Sequence, residues 1–388
     1  MRRLALISAF AIALLPPALM AQAGADGPYK VLKTARVGGE GGTDYLLADV
    51  DGRRLYIPRG MVRADTTMGR PAVPARITVF NLDNLEPAGE ILTAPNSQGN
   101  GAAVDPRSGH GFSSSRPAIT MFDTKSLQLL KSIPIDSGFG PDGIYYDSFN
   151  ERVYVFSHPT HDAMVIEGKD GTVVGRIALP GTPEQAVADG KGTLYVLMQD
   201  SGSVAVVDAK AMKTTAAYSF GGNTGCNGLA LDAKNHVLFA ACSRMGPAPQ
   251  RGQPGQPAQP PVPPTWEMVI LSSVDGKILA KQPLAGGSDG AAFNPETMEA
   301  FSSGGNGTLT VIKEKSPTSF EVEQNLNTMN GARTLTLDTK TGHIFVMSVE
   351  RGPAPPPPPG GGRGGAAPAI PGSFTILEIG AGYAIRKP

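Results

Sequence analysis

Seven polar side chains recur at one position of a repeated segment: Asp44, Asn100, Asp142, Glu184, Asn227, Asp289 and Arg333. Each stands five residues before a turn acid or amide, namely Asp49, Asp105, Asp147, Asp189, Asp232, Asn294 and Asp338. Brought into a ring, their carboxylates and amides would offer oxygen ligands to calcium or another divalent cation. Asp142, Glu184, Asn227 and Asp289 are the candidate metal ligands. Arg333 would bind a ligand carboxylate or neutralise the acids. Asp and Asn before Gly are also turn formers, through bonds to their own backbone. Glu184 and Arg333 fit that role less well, so turn and ligand contact both stay open. Glycine follows in four copies, at Gly101, Gly143, Gly228 and Gly290. Close backbone approach near a crowded axis would require it.

The histidines are the second source of chemistry. His158, His161 and Asp162 lie in one short segment, and two imidazoles with an acid suit a transition metal. With no further ligand in view, a surface loop is the expectation. His110, His236 and His343 fall in or beside turns on the opposite face. The sequence carries no His-Glu-x-x-His pair, Walker loop or Cys-x-x-Cys pair. Its catalytic residues, if any, are therefore unassigned.

The elements that must position these residues are strands. Each copy holds a strand, the turn residue and a second strand, as in "PDGIYYDSFNERVYV" at 141–155. Most continue with a third strand, such as Val204-Ala205-Val206-Val207, and a fourth, such as Arg176-Ile177-Ala178-Leu179. Seven such four-stranded units with no helical pattern predict an all-β, seven-bladed β-propeller of antiparallel blades. The blades are expected at 43–92, 96–135, 139–180, 183–220, 224–284, 288–326 and 329–379. The last lacks a fourth strand, which the segment 29–37 is expected to supply, closing the ring.

The stretches "RVYVFSHPTHDAMVIEGKDGTVVGRIALP" and "TLYVLMQDSGSVAVVDAKAMKTTAAYSF" resemble the YVTN-type β-propeller repeat family. Both carry an aromatic-Val strand, a polar loop, a hydrophobic strand ending in an acid and an outer strand. The resemblance covers nearly all of the chain after its leader. It implies an exported surface, scaffold or binding propeller, with lactone hydrolases among the more distant relatives.

Spacing lengthens between the second and third strands of blades one, five and seven, at Arg59–Arg76, Arg244–Pro264 and Arg351–Gly372. Those loops should surround the mouth that carries the polar ring. The runs at 247–264 and 353–372 are rich in Pro and Gly and cannot build a core. They are expected to be surface loops.

Met1-Arg2-Arg3, the apolar run Leu4–Leu15 and Ala21-Gln22-Ala23 make a secretory leader, cleaved after Ala23. No later stretch is long enough to span a membrane. The expected protein is periplasmic or secreted, a single propeller domain over 24–388 and a monomer. Export permits a disulfide between Cys226 and Cys242, which face each other if Leu229 pairs with Phe239. The 34 basic and 34 acidic residues cancel, which argues against a nucleic-acid partner held by a strong positive field. The expected function is binding of a small molecule, polymer or protein at the insertion-bearing face. The alternative is a lactonase-like hydrolase using the ring, with or without a divalent cation.

Overall fold

The computed structural model describes residues 27–64, 66, 69, 71–93, 98–244, 265–354 and 367–382. The expected leader, the run at 247–264 and most of that at 353–372 lie outside them. The described residues form seven four-stranded antiparallel sheets and no helix. Each sheet is a meander of strands a to d. In blade three these are Pro141–Asp147, Arg152–Ser157, Asp162–Glu167 and Val173–Ala178.

Neighbouring blades cover both faces of strands b and c. Val153 to Phe156 and Ala163 to Ile166 are consequently buried without a break, and read as continuous apolar runs. Strand d lies at the rim; in blade four Lys213–Ser219 alternates between exposed and partly buried. The apolar clusters fill the seams between blades. Tyr154, Phe156 and Val165 of blade three pack with Val196, Met198 and Val207 of blade four. Leu55, Ile57 and Phe80 of blade one pack with Phe345, Met347 and Ile376 of blade seven. No blade has a core of its own, so the ring must close to be stable.

Tyr29–Arg36 supplies strand d of blade seven. It runs antiparallel to Thr375–Ala381, with Tyr29 opposite Ala381 and Arg36 opposite Thr375. Tyr29 also ties this strand to blade six. Its N–H and C=O bond the Gln324 side-chain amide, each at 2.9 Å, and its hydroxyl donates to Glu299. Across the next seam, Arg53 of blade one donates to both oxygens of Asp338 in blade seven, at 3.0 and 2.7 Å.

The repeated turn acids have a local role. Asp49, Asp105, Asp147, Asp189, Asp232, Asn294 and Asp338 each accept a backbone N–H two or three residues ahead. That bond closes the a–b turn and accounts for the residue type.

Cys226 and Cys242 are joined in a disulfide. The register expected from sequence needs a correction of one residue. Leu229 pairs with Ala240, and Phe239 with Ala230. A bulge between Cys226 and Gly228 absorbs the offset and puts the cysteines back opposite each other. The bond spans a sequence separation of 16. Replacing both cysteines by alanine should lower stability by about 3 kcal/mol. The guanidinium midpoint of the double variant against the oxidised parent measures this.

Candidate functional site at the channel mouth

Five of the strands a carry a bulge at the same place. Register shifts fall between Gly99 and Ala102, Pro141 and Ile144, Pro183 and Ala186, Cys226 and Gly228, and Ser288 and Ala291. The repeated polar residue sits inside each bulge. A bulge leaves its residue out of the ladder and re-aims the side chain. Here it frees the polar side chains to meet one another at the channel mouth.

The glycines after them answer to space. A Cβ on Gly228 would lie 2.7 Å from the Gly290 carbonyl carbon. One on Gly290 would lie 3.1 Å from the Leu335 nitrogen, and one on Gly143 3.1 Å from the Glu184 carbonyl oxygen. Innermost strands of successive blades touch backbone to backbone. Gly228→Ala should therefore cost roughly 1–3 kcal/mol by overpacking, seen as a lower urea midpoint with an unchanged slope.

Two copies carry a large side chain at the glycine position. Tyr45 of blade one donates its hydroxyl to Glu184 Oε2 of blade four at 3.0 Å, across the channel. Gln185 of blade four accepts the N–H groups of Leu229 and Ala291 at 2.9 and 3.1 Å, and donates to the Ala291 carbonyl at 3.0 Å. It thus satisfies the bulged backbones of blades five and six. Tyr45 and Gln185 plug the channel. Beyond them lies a cavity of about 380 Å³ walled by Leu47, Ile144, Val187, Leu231, Phe293 and Leu337, among others.

On the mouth side of the plug, six of the seven ring residues join one polar network. Arg333 lies 2.8 Å from Asp289 and 3.2 Å from Asp44. Asn227 donates to Asp289. Gln199 donates to Glu184 at 2.6 Å and to Asn227 at 3.1 Å. His158 Nε2 lies 3.0 Å from Asp142 Oδ2 and 3.5 Å from Glu184 Oε1. Asn100 stands apart: it donates to the Pro141 carbonyl at 2.7 Å and fixes the backbone of blade three.

This geometry corrects two readings. The four candidate metal ligands are divided. Asn227 and Asp289 bond each other, and Arg333 neutralises Asp289. Asp142 and Glu184 instead share a cluster with His158, in which one donor atom from each lies within 4.8 Å of the others. His158 is also not a free surface residue, because its partners come from strand a of its own blade and from strand a of the next. The remainder of its segment does stay local: His161 contacts Thr182 at 3.3 Å, and Asp162 pairs with Arg176 at 2.8 Å.

The electrostatics single out the same cluster. Burial, then the charge of Asp142, pushes the Glu184 carboxyl up to about 8. Burial and Asp142 likewise raise Asp44 to about 6, against the pull of Arg333. The Asp142 carboxylate, outweighing burial, holds the His158 imidazole above its usual range. His158 Nε2 is itself buried and makes no aligned hydrogen bond. Burial and the surrounding acids keep Tyr45 protonated.

Sequence reasoning missed Tyr45, Gln185, Gln199 and the role of His158. The first two had a signal, since they interrupt the glycine pattern. His158 and Gln199 occupy one repeat position, directly after strand b in blades three and four. Each bridges the ring residue of its own blade to that of the next.

No family model and no curated protein matches this chain. Solved structures match it. Hydrazine synthase from Kuenenia stuttgartiensis superposes with a TM-score of 0.63 at 15% identity, over 80% of this chain and 94% of that one. The WD40 domain of Neurospora crassa Pan2 gives 0.61 at 12%, over 93% and 98%. The structure of U3-55K gives 0.65 at 11%, over 90% and 98%. What they share is the propeller. At these identities the likeness is one of fold alone. No helix among the described residues is long and apolar enough to cross a membrane.

Proposed function

We propose that this chain is an exported binding propeller of YVTN type, whose ligand site is the polar channel mouth and whose mouth takes a divalent transition-metal ion at Asp142, His158 and Glu184. The observation that carries the metal is the donor spacing. An ion with bonds of about 2.1 Å holds tetrahedral donors about 3.4 Å apart. The separations of 3.0 and 3.5 Å around His158 Nε2 suit it. An imidazole among the donors favours zinc-class ions over calcium, which prefers oxygen alone. Asp44, Asn100, Asn227, Asp289 and Arg333 would supply the remaining polar contacts to a small molecule, polymer or protein segment entering the mouth.

Binding such an ion must displace the proton that Glu184 holds at neutral pH. Because His158 must also be neutral to coordinate, affinity for zinc should rise at least about tenfold per pH unit between pH 6 and 7. Calorimetric titration in buffers of different ionisation enthalpy checks both the trend and the released proton. A pH-independent affinity would count against both Glu184 and His158 as ligands.

A second reading, a lactonase-like hydrolase, draws on the same cluster. Three protein donors would leave a position open to water or an ester carbonyl, as catalytic zinc sites do. Turnover of a simple γ- or δ-lactone, abolished in Glu184→Gln, would favour it over pure binding.

A further inference from the structure

A second cavity, of about 660 Å³, opens where blades seven and one meet, beside the ring at Asp44 and Arg333. Arg59, the last residue of strand b in blade one, lines it and is 1% exposed. Its Nε and Nη1 have no hydrogen-bond partner among the described residues. Its guanidinium lies 3.9 Å from the Phe374 ring centroid. The ring takes the face of the cation and leaves its in-plane N–H donors unspent.

A second guanidinium sits close by. A Cβ placed on Gly39 would lie 3.3 Å from Arg76 Nη2 and 3.7 Å from Arg59 Nη2. Arg76 is satisfied, by Glu90 at 2.9 Å and the Pro74 carbonyl at 3.3 Å. Arg59 is not. Burial, then the charge of Arg76, lowers its pKa to about 10, so it stays charged at neutral pH. A buried, unpaired charge is among the most costly features a fold can keep. The acids in the cavity do not relieve it: Asp44 is committed to Arg333, and Glu40 makes no ion pair with Arg59. The rest of the wall mixes the exposed Arg351 with Val62, Met347, Val349, Ile370 and Phe374.

We infer that this cavity binds a small organic acid, its carboxylate on the in-plane donors of Arg59 and its apolar body against Val62, Ile370 and Phe374. The planar fork of arginine matches a carboxylate. The volume is that of an ordinary small-molecule site. The apolar wall favours an organic acid over an inorganic anion.

Thermal unfolding with benzoate, octanoate, inorganic phosphate or chloride, at equal ionic strength, tests this. Benzoate or octanoate should raise Tm logarithmically with concentration, by roughly 3 °C at 100-fold excess over Kd. Phosphate and chloride should not. Arg59→Met should abolish that rise while raising the Tm of the ligand-free protein, because it removes the unpaired charge. Asp142→Ala should keep the rise, which separates this site from the metal cluster. No response to either acid, or an equal one in Arg59→Met, overturns the inference. A response to phosphate alone overturns the carboxylate assignment.

Discussion

A chain that begins at residue 37 should fail to fold, whereas one that begins at residue 24 should fold cooperatively. Removing Tyr29–Arg36 strips the last blade of its outer strand and leaves Thr375–Ala381 as an open edge. An unpaired edge is a template for aggregation. The loss also reaches blade six. Tyr29 is 3% exposed, packs edge-on against Phe301 with ring centroids 5.2 Å apart, and engages Gln324 and Glu299. Because the cores are the seams, a fault in blade seven weakens its contacts on both sides. Size-exclusion chromatography and thermal unfolding by circular dichroism compare the two chains. A monomeric, cooperative transition at the same temperature in the shorter chain would contradict the closure.

Glu184→Gln should stabilise the metal-free protein at alkaline pH and reduce its pH dependence. Glu184 is 5% exposed, and its folded pKa of about 8 stands well above the ordinary value of 4.5. Across that window the folded chain holds a proton that the unfolded chain releases. Stability is therefore full below pH 4.5 and lost as pH rises toward 8. From pH 4.5 to 7 this one group removes about 3 kcal/mol. Asp44 acts in the same sense between 3.8 and about 6. The raised His158 does too: its contribution is complete below the ordinary imidazole value of 6.5 and fades as pH climbs through the folded value. Urea midpoints at pH 5, 6, 7 and 8 in a chelating buffer should fall steeply for the parent and less steeply for Glu184→Gln, whose remaining slope comes from Asp44 and His158. Parallel curves would refute the buried-proton account.

The parts of the molecule that were legible in the sequence are those encoded within one repeat. Val153 to Phe156 announces a strand covered on both faces, and Asp147 announces a turn, because each depends on neighbours a few residues away. Even ring closure was legible, since blade seven lacked a strand that 29–37 could supply. The site was legible only as a position. Periodicity brings Asp142 and Glu184 to one mouth, but the bulge that re-aims them depends on how successive blades press on one another. The bulge also hid the one-residue correction between Leu229 and Phe239. His158 looked like part of a surface loop because its second carboxylate belongs to the next repeat. Arg59 gave no signal, since its burial arises at the seam where the two ends of the chain meet.

The central claim is that Asp142, His158 and Glu184 form one cation site. Equilibrium dialysis of the full chain against zinc, followed by elemental analysis, tests it directly, with Asp142→Ala and His158→Ala dialysed in parallel and Asp289→Ala as a control. The account predicts one tightly held ion per chain in the parent and in Asp289→Ala, and a loss of at least about 100-fold in affinity in the other two. No bound ion in the parent, or equal binding in Asp142→Ala and His158→Ala, would contradict it.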